Sequence, residues 1–146
     1  MPFNVIARKA AAAAVATLTI LVLGACSVEP DPPEGVAAAF IEAIAKGDSQ
    51  TATNLMYIPE QDREDPDKAQ SYNHKLQQMG DGAKEKIDRM GGIKSIAASQ
   101  VTNHEPDDKG VERATVILEI TTNDGNVTNQ RVRLIKSGNE WKVFNH

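Results

Sequence analysis

The sequence predicts an α+β domain, with helices first, an antiparallel meander after them, and the helices packed on one face of the sheet. Three observations carry this. Up to about residue 90 the apolar residues recur at spacings of three and four. Gly91 and Gly92 then interrupt the chain, and beyond them the apolar spacing falls to two. Within that second region "NDGN" at 123–126 marks a hairpin, because Asp-Gly tolerates the positive φ of a tight turn.

Each element can be justified in order. Pro33 and Glu34 suit a first helical turn, and Val36, Ala37, Phe40, Ile41 and Ile44 form one apolar stripe that ends at Gly47. Asp48 or Ser49 can cap a second, shorter helix carrying Ala52, Leu55 and Met56. "YIPEQDREDPD" is charged and interrupted by Pro59 and Pro66, so it reads as a loop. A third helical region is expected from Asp67 to about Met90, broken near "MGDG". Ala69, Tyr72, Leu76 and Met79 mark one face of its first half, and Ala83, Ile87 and Met90 mark the second. Residues 93–104 form a first strand of weak alternation. In "VERATVILEITT" the residues Ala114, Val116, Leu118 and Ile120 share one parity. "RVRLIK" places Val132 and Leu134 on one face, and Trp141 with Val143 completes a last short strand.

The first residues form a separate segment. Met1–Lys9 ends in two positive charges, Ala10–Leu23 is uncharged and apolar, and Leu23-Gly24-Ala25 precedes Cys26, the only cysteine. A basic start, a short apolar run and small residues before a cut mark an export signal. The apolar run of 14 residues would reach ~21 Å as a helix, short of the ~30 Å of hydrocarbon that a spanning helix must cross. "SVEPDPPEG" after the cysteine is Pro-rich and acidic and reads as an extended tether. The expected organisation is therefore a signal peptide over 1–25, an anchor and tether over 26–33, and a domain over 34–146.

Charge narrows the function. The chain carries sixteen basic and twenty acidic residues, and the export signal takes Arg8 and Lys9, leaving about −6 on the rest. Such a domain is a poor nucleic-acid binder, since that affinity comes largely from phosphate neutralisation. No His-x₃-His, HExxH, second cysteine, calcium-loop spacing, phosphate loop or Gly-x-Ser-x-Gly elbow is present, so no metal, cofactor or catalytic residue is assigned.

Two resemblances sharpen the reading. Leu23-Gly24-Ala25-Cys26 resembles the lipobox of bacterial lipoproteins. This implies that the Cys26 thiol takes a diacylglycerol and becomes the first residue after cleavage, with Leu23, Gly24 and Ala25 recognised by the signal peptidase. The implied location is the bacterial cell envelope. Ser27 after the cysteine favours an outer membrane, facing the periplasm, if the host is Gram-negative. "FIEAIAKGD", "GGIKSI" and "GNEWKVF" look like the bacterial lipoprotein family called domain of unknown function 4878, of the nuclear-transport-factor-2-like superfamily, also labelled lumazine-binding-like. That resemblance implies a cone, a curved sheet wrapped round the helices with a cavity at the open end, and it implies no reaction.

Residues that could line such a cavity are Tyr57, Tyr72 and Trp141. Tyr57 lies where the second helix meets a loop, Tyr72 shares a face with Leu76 and Met79, and Trp141 shares parity with Val143; each also has an ordinary packing role open to it. His74 falls off the apolar face, His104 sits at a strand end, and His146 is terminal. The expected function is a lipid-anchored, non-enzymatic domain that binds a small molecule or an envelope protein. The alternatives are a cone-pocket enzyme of isomerase or dehydratase type and a structural subunit of an envelope assembly.

Overall fold

The computed structural model describes residues 30–144, which form α1 (Pro33–Lys46), α2 (Ser49–Leu55), α3 (Glu60–Arg63), α4 (Pro66–Arg89), β1 (Ile93–His104), β2 (Arg113–Thr122), β3 (Val127–Ser137) and β4 (Glu140–Val143). The four strands make one antiparallel sheet in the order β1-β2-β3-β4. The fold is α+β, as the sequence predicts.

Caps set the helix boundaries. Gly47 ends α1 in the left-handed region at φ 71°, and Asp48 N–H donates back to the Ala43 carbonyl at 2.9 Å. Asp48 then caps α2, its carboxylate accepting from Thr51 N–H at 3.0 Å and from the Thr51 hydroxyl at 2.7 Å. Two sequence expectations need correction here. The stretch read wholly as loop contains the single-turn helix α3, started by Pro59 and carrying Glu60 and Asp62 in its first turn. The break expected near "MGDG" is absent, and α4 runs unbroken for 24 residues.

The continuity of α4 has identifiable causes. The Asp65 carboxylate accepts from Asp67 N–H at 3.0 Å and Lys68 N–H at 3.3 Å, and Pro66 occupies the first turn. Near the far end Lys84 pairs with Asp88 and Arg89 with Glu85, one turn apart. Gly80 is buried where α4 meets the end of α1, and a Cβ there would stand 3.5 Å from the Ile44 carbonyl oxygen and 3.8 Å from the Gly47 Cα. Gly80 thus serves close helix packing. Gly82 faces open space, with nothing within 4 Å of a built Cβ. Gly82→Ala should therefore stabilise the domain by about 1 kcal/mol and raise Tm by roughly 4 °C, as thermal unfolding would read.

Strand pairing explains the weak alternation of β1. Ile93 pairs with Thr122 and Ser95 with Thr121, leaving Lys94 extra; Ala98 pairs with Leu118 and Gln100 with Ile117, leaving Ser99 extra. Each bulge flips the parity. Ile96 and Ala98 therefore sit opposite Ile120 and Leu118, whereas Val101 and Asn103 sit opposite Val116 and Ala114. All of these share the sheet face that carries the core, although Ala98, Val101 and Asn103 on the edge strand are exposed.

The core lies between that face and the helices. Leu118, Leu134 and Val116 are its largest fully buried side chains, and Val36, Ala37, Phe40, Ile44, Ala52 and Leu76 close over them. The end of α2 is tied in as well, since Met56 bridges Val143 and Tyr57 N–H donates to the Val143 carbonyl at 2.8 Å.

Two carboxylates shape the turns between strands. Asp107 accepts from Lys109 N–H at 2.9 Å and Val111 N–H at 3.0 Å and pairs with Arg113 at 2.9 Å. Asp124 accepts from the Thr122 hydroxyl at 2.6 Å and from Asn126 N–H at 3.1 Å. Both are held below the ordinary value of 3.8, Asp107 chiefly by the Val111 N–H and Asp124 chiefly by the Thr122 hydroxyl. A folded-state pKa below the unfolded one gives stability that is complete above the unfolded value and lost as pH falls through the folded one. Tm should thus drop on acidification below about pH 4, and Asp124→Asn should make that drop shallower. A Tm series from pH 7 to pH 2 on both proteins checks this.

Candidate functional site

The candidate site follows from a mismatch in strand length. β4 spans four residues and pairs only with Leu134–Ser137 of β3, after which Phe144 N–H donates to the Arg133 carbonyl at 2.8 Å. Among the described residues nothing pairs with the outer edge of β3 before Arg133. Between that open edge and α4 lies a cavity of about 540 Å³.

Its walls come from elements far apart in the chain. Phe40, Ile41, Ile44 and Ala45 of α1 form one wall, and Leu76, Met79, Ala83, Lys86 and Ile87 along α4, with Met90 capping its end, form the second. The sheet supplies Ile120, Thr122, Thr128, Gln130 and Val132, with Met56, Val143 and Phe144 closing the end. Phe40, Ile44, Met56, Leu76, Val132 and Val143 are buried, whereas Met79, Lys86, Thr128 and Gln130 are exposed. The cavity is apolar in its depth and polar at its mouth. Size and composition are those of ligand pockets, which are mostly apolar with a few placed polar groups.

The polar groups have distinct states. The Thr122 hydroxyl is committed to Asp124, whose lowered pKa and further bonds to Asn126 make it a turn cap and a weak base. Arg131 and Arg133 line the cavity from the edge of β3, and they also line a second, more open hollow on the outer sheet face with Gln100, Thr102, His104, Thr115 and Ile117. Their register opposite Ile117 and Thr115 puts their side chains on that outer face. Lys86 has no ion pair or side-chain hydrogen bond among the described residues, although its neighbours Lys84 and Arg89 both have carboxylate partners.

The three residues singled out by sequence fall elsewhere. Tyr57 stacks edge-on against the cavity-lining Phe144, ring centres 6.1 Å apart, and lines a surface hollow with Pro59, Glu60, Gln61 and Glu64. Tyr72 is half-buried against the core and donates to Asp62 Oδ2 at 3.3 Å. Burial, followed by the Asp62 carboxylate, pushes its hydroxyl pKa up. Asp62 is itself lowered, mainly by the Lys68 ammonium 2.6 Å away. Trp141 packs on the core with Lys136 Nζ 5.8 Å from its ring centre. The structure does not bring these three together, and none lines the main cavity.

The histidines are also apart from it. His74 is exposed and bonded to Gln78 at 3.0 Å, and His104 bonds Thr115 Oγ1 at 2.8 Å on the outer face. Among the described residues no three His, Cys, Asp or Glu side chains gather as a metal site requires. Leu23, Gly24, Ala25, Cys26, residues 27–29 of the tether and His146 lie outside the described residues. No helix among the described residues is long and apolar enough to cross a membrane.

Sequence reasoning missed Met79, Lys86, Ile87, Met90, Thr128 and Gln130 as cavity residues. A signal existed for three of them, because Met79, Ile87 and Met90 belong to the apolar stripe of α4. Periodicity reads such a stripe as packed, and cannot tell a packed face from one that overlooks a hollow.

The comparisons with known proteins agree with this architecture. A structure from Campylobacter jejuni, named as a candidate nuclear-transport-factor-2-like transpeptidase, is similar with a TM-score of 0.67 and 21% identity over 80% of this chain and 100% of its own. At that identity the likeness shows a shared nuclear-transport-factor-2-like fold. None of the curated proteins matches the sequence. The family described as "Domain of unknown function (DUF4878)" matches residues 25–144, most of the chain, and the chain belongs to that family.

Proposed function

We propose that the protein is a lipid-anchored lipoprotein of the bacterial cell envelope whose cone cavity binds a small, largely apolar molecule without transforming it. The observation that carries the binding reading is the cavity of about 540 Å³ with a buried apolar floor between α1, α4 and the sheet. The anchor reading rests on Leu23-Gly24-Ala25-Cys26 behind a short apolar leader. In a Gram-negative host, Ser27 after the cysteine favours an outer membrane, facing the periplasm.

Binding is favoured over catalysis by the titratable groups of the lining, which are Lys86, Arg131 and Arg133. An isomerase or dehydratase of this shape would set a carboxylate or imidazole inside the cone to move a proton. Transpeptidation, the activity in the name of the Campylobacter jejuni protein, would need a nucleophile beside a base, and the hydroxyl of Thr122 is instead bonded to a low-pKa carboxylate. A scaffold role would call for a broad apolar patch, whereas the large exposed hydrophobics Met79, Val101 and Val127 stand on three separate elements.

Native mass spectrometry of the protein, purified gently from its host, tests the reading. A small molecule at fixed stoichiometry is expected on the wild type and absent from Ala83→Trp, whose indole would fill the cavity from a half-exposed position on α4. A bare wild-type chain, or equal loading of the two proteins, would sink the pocket reading.

A further inference from the structure

We infer that the cavity takes a single-chain amphiphile with an anionic head, the chain lying between α1, α4 and the sheet and the head meeting Lys86 at the mouth. This rests on the pocket reading and goes beyond it by naming the ligand class.

The first argument is the polarity gradient. The depth of the cavity is set by Phe40, Ile44, Leu76, Val132 and Val143, all buried. The mouth carries Lys86, Thr128 and Gln130, all exposed. A wholly polar ligand would bury its own hydrogen-bonding groups against the apolar floor, and a wholly apolar one would desolvate the mouth without recompense. A molecule with one apolar and one polar end matches both regions.

The second argument is the sign of the charge. Acidic residues outnumber basic ones in this chain, twenty to sixteen, yet the charged side chain at the cavity mouth is the basic Lys86. The other charged lining residues, Arg131 and Arg133, are basic too but turned to the outer sheet face. Lys86 stands in a helical segment where Lys84 and Arg89 are neutralised by Asp88 and Glu85, and it alone of the three lacks a carboxylate. Its long stem can lie along the apolar wall while the ammonium stays at the water boundary, which suits an anionic head held at the rim. Arg131 and Arg133 add positive potential along the adjoining strand edge without entering the apolar depth. The volume lies within the ~300–1,000 Å³ of pockets that enclose small organic ligands.

The protein supplies its own reporters. Met56, Met79 and Met90 all line the cavity, and the only other methionine is Met1. With the full chain held in zwitterionic nanodiscs and its methionine methyls carbon-13 labelled, dodecanoate, dodecanol and dodecylamine would be titrated in turn. Dodecanoate is expected to shift the Met79 and Met90 signals saturably, at least tenfold more tightly than dodecylamine. Lys86→Glu, a change at an exposed helical position, should reverse that preference while leaving the remaining spectrum in place. Equal affinity for the acid and the amine, or a preference unchanged in Lys86→Glu, would overturn the anionic head and leave the pocket standing. Failure of all three probes, dodecanol included, would overturn the pocket itself.

Discussion

Leu118→Ala is expected to destabilise the domain by about 3 kcal/mol, within the range of 2–5 kcal/mol seen when a buried leucine is cut to alanine. Leu118 is fully buried in the second strand of the sheet, opposite Ala98 on one side and Gln130 on the other. Its removal costs the transfer of its side chain from water and leaves a hole that strands pinned by ladders on both sides cannot close. Measured against a total stability of roughly 5–15 kcal/mol, the loss is large, and Tm should fall by about 10–15 °C. Val127→Ala is the matched control, because Val127 is 57% exposed at the start of β3. That change should stay within about 0.5 kcal/mol. Urea unfolding of both variants reads the contrast, and comparable losses would mean that the sheet face opposite the helices is not where the core sits.

Cys26→Ser should have the second large effect, and it is all-or-none. The lipobox reading requires a thiol to be alkylated by a diacylglycerol, and a serine hydroxyl at position 26 is a far weaker nucleophile at neutral pH. Several acyl chains on one residue hold firmly, since each buried CH₂ contributes ~0.8 kcal/mol, whereas a single chain is marginal. Loss of the cysteine should therefore abolish incorporation of labelled palmitate and leave the leader uncleaved or the domain released. Metabolic labelling with membrane fractionation checks both. Undiminished labelling in the variant would remove the anchor from the account.

Much of the fold was legible because it is local. The stripe of Val36, Ala37, Phe40, Ile41 and Ile44 reports one buried face whatever it packs on, and Ala114, Val116 and Leu118 do the same with a period of two. Asp48, Gly47 and "NDGN" act within a few residues, so their chemistry reads directly from the chain. Where a local signal competed with distant contacts, the reading failed. Gly80 and Gly82 argue for a break, but a well-capped helix of 24 residues carries both, and one of them lets α4 lie against α1. The alternation of β1 was blurred because two bulges shift its parity, and each bulge is defined by its partner on β2.

By itself the sequence determined the α+β class, the order of helices before strands, and the face that β2 and β3 turn to the core. Only the tertiary structure decided where the cavity lies and what lines it. A cavity is space left between elements, and this one exists because β4 stops after four residues while α4 runs on past the open edge of β3. Lys86 and Gln130 stand 44 residues apart and come to one mouth only through that arrangement. Periodicity tells which way a side chain faces; what it faces depends on how separate elements are placed against one another.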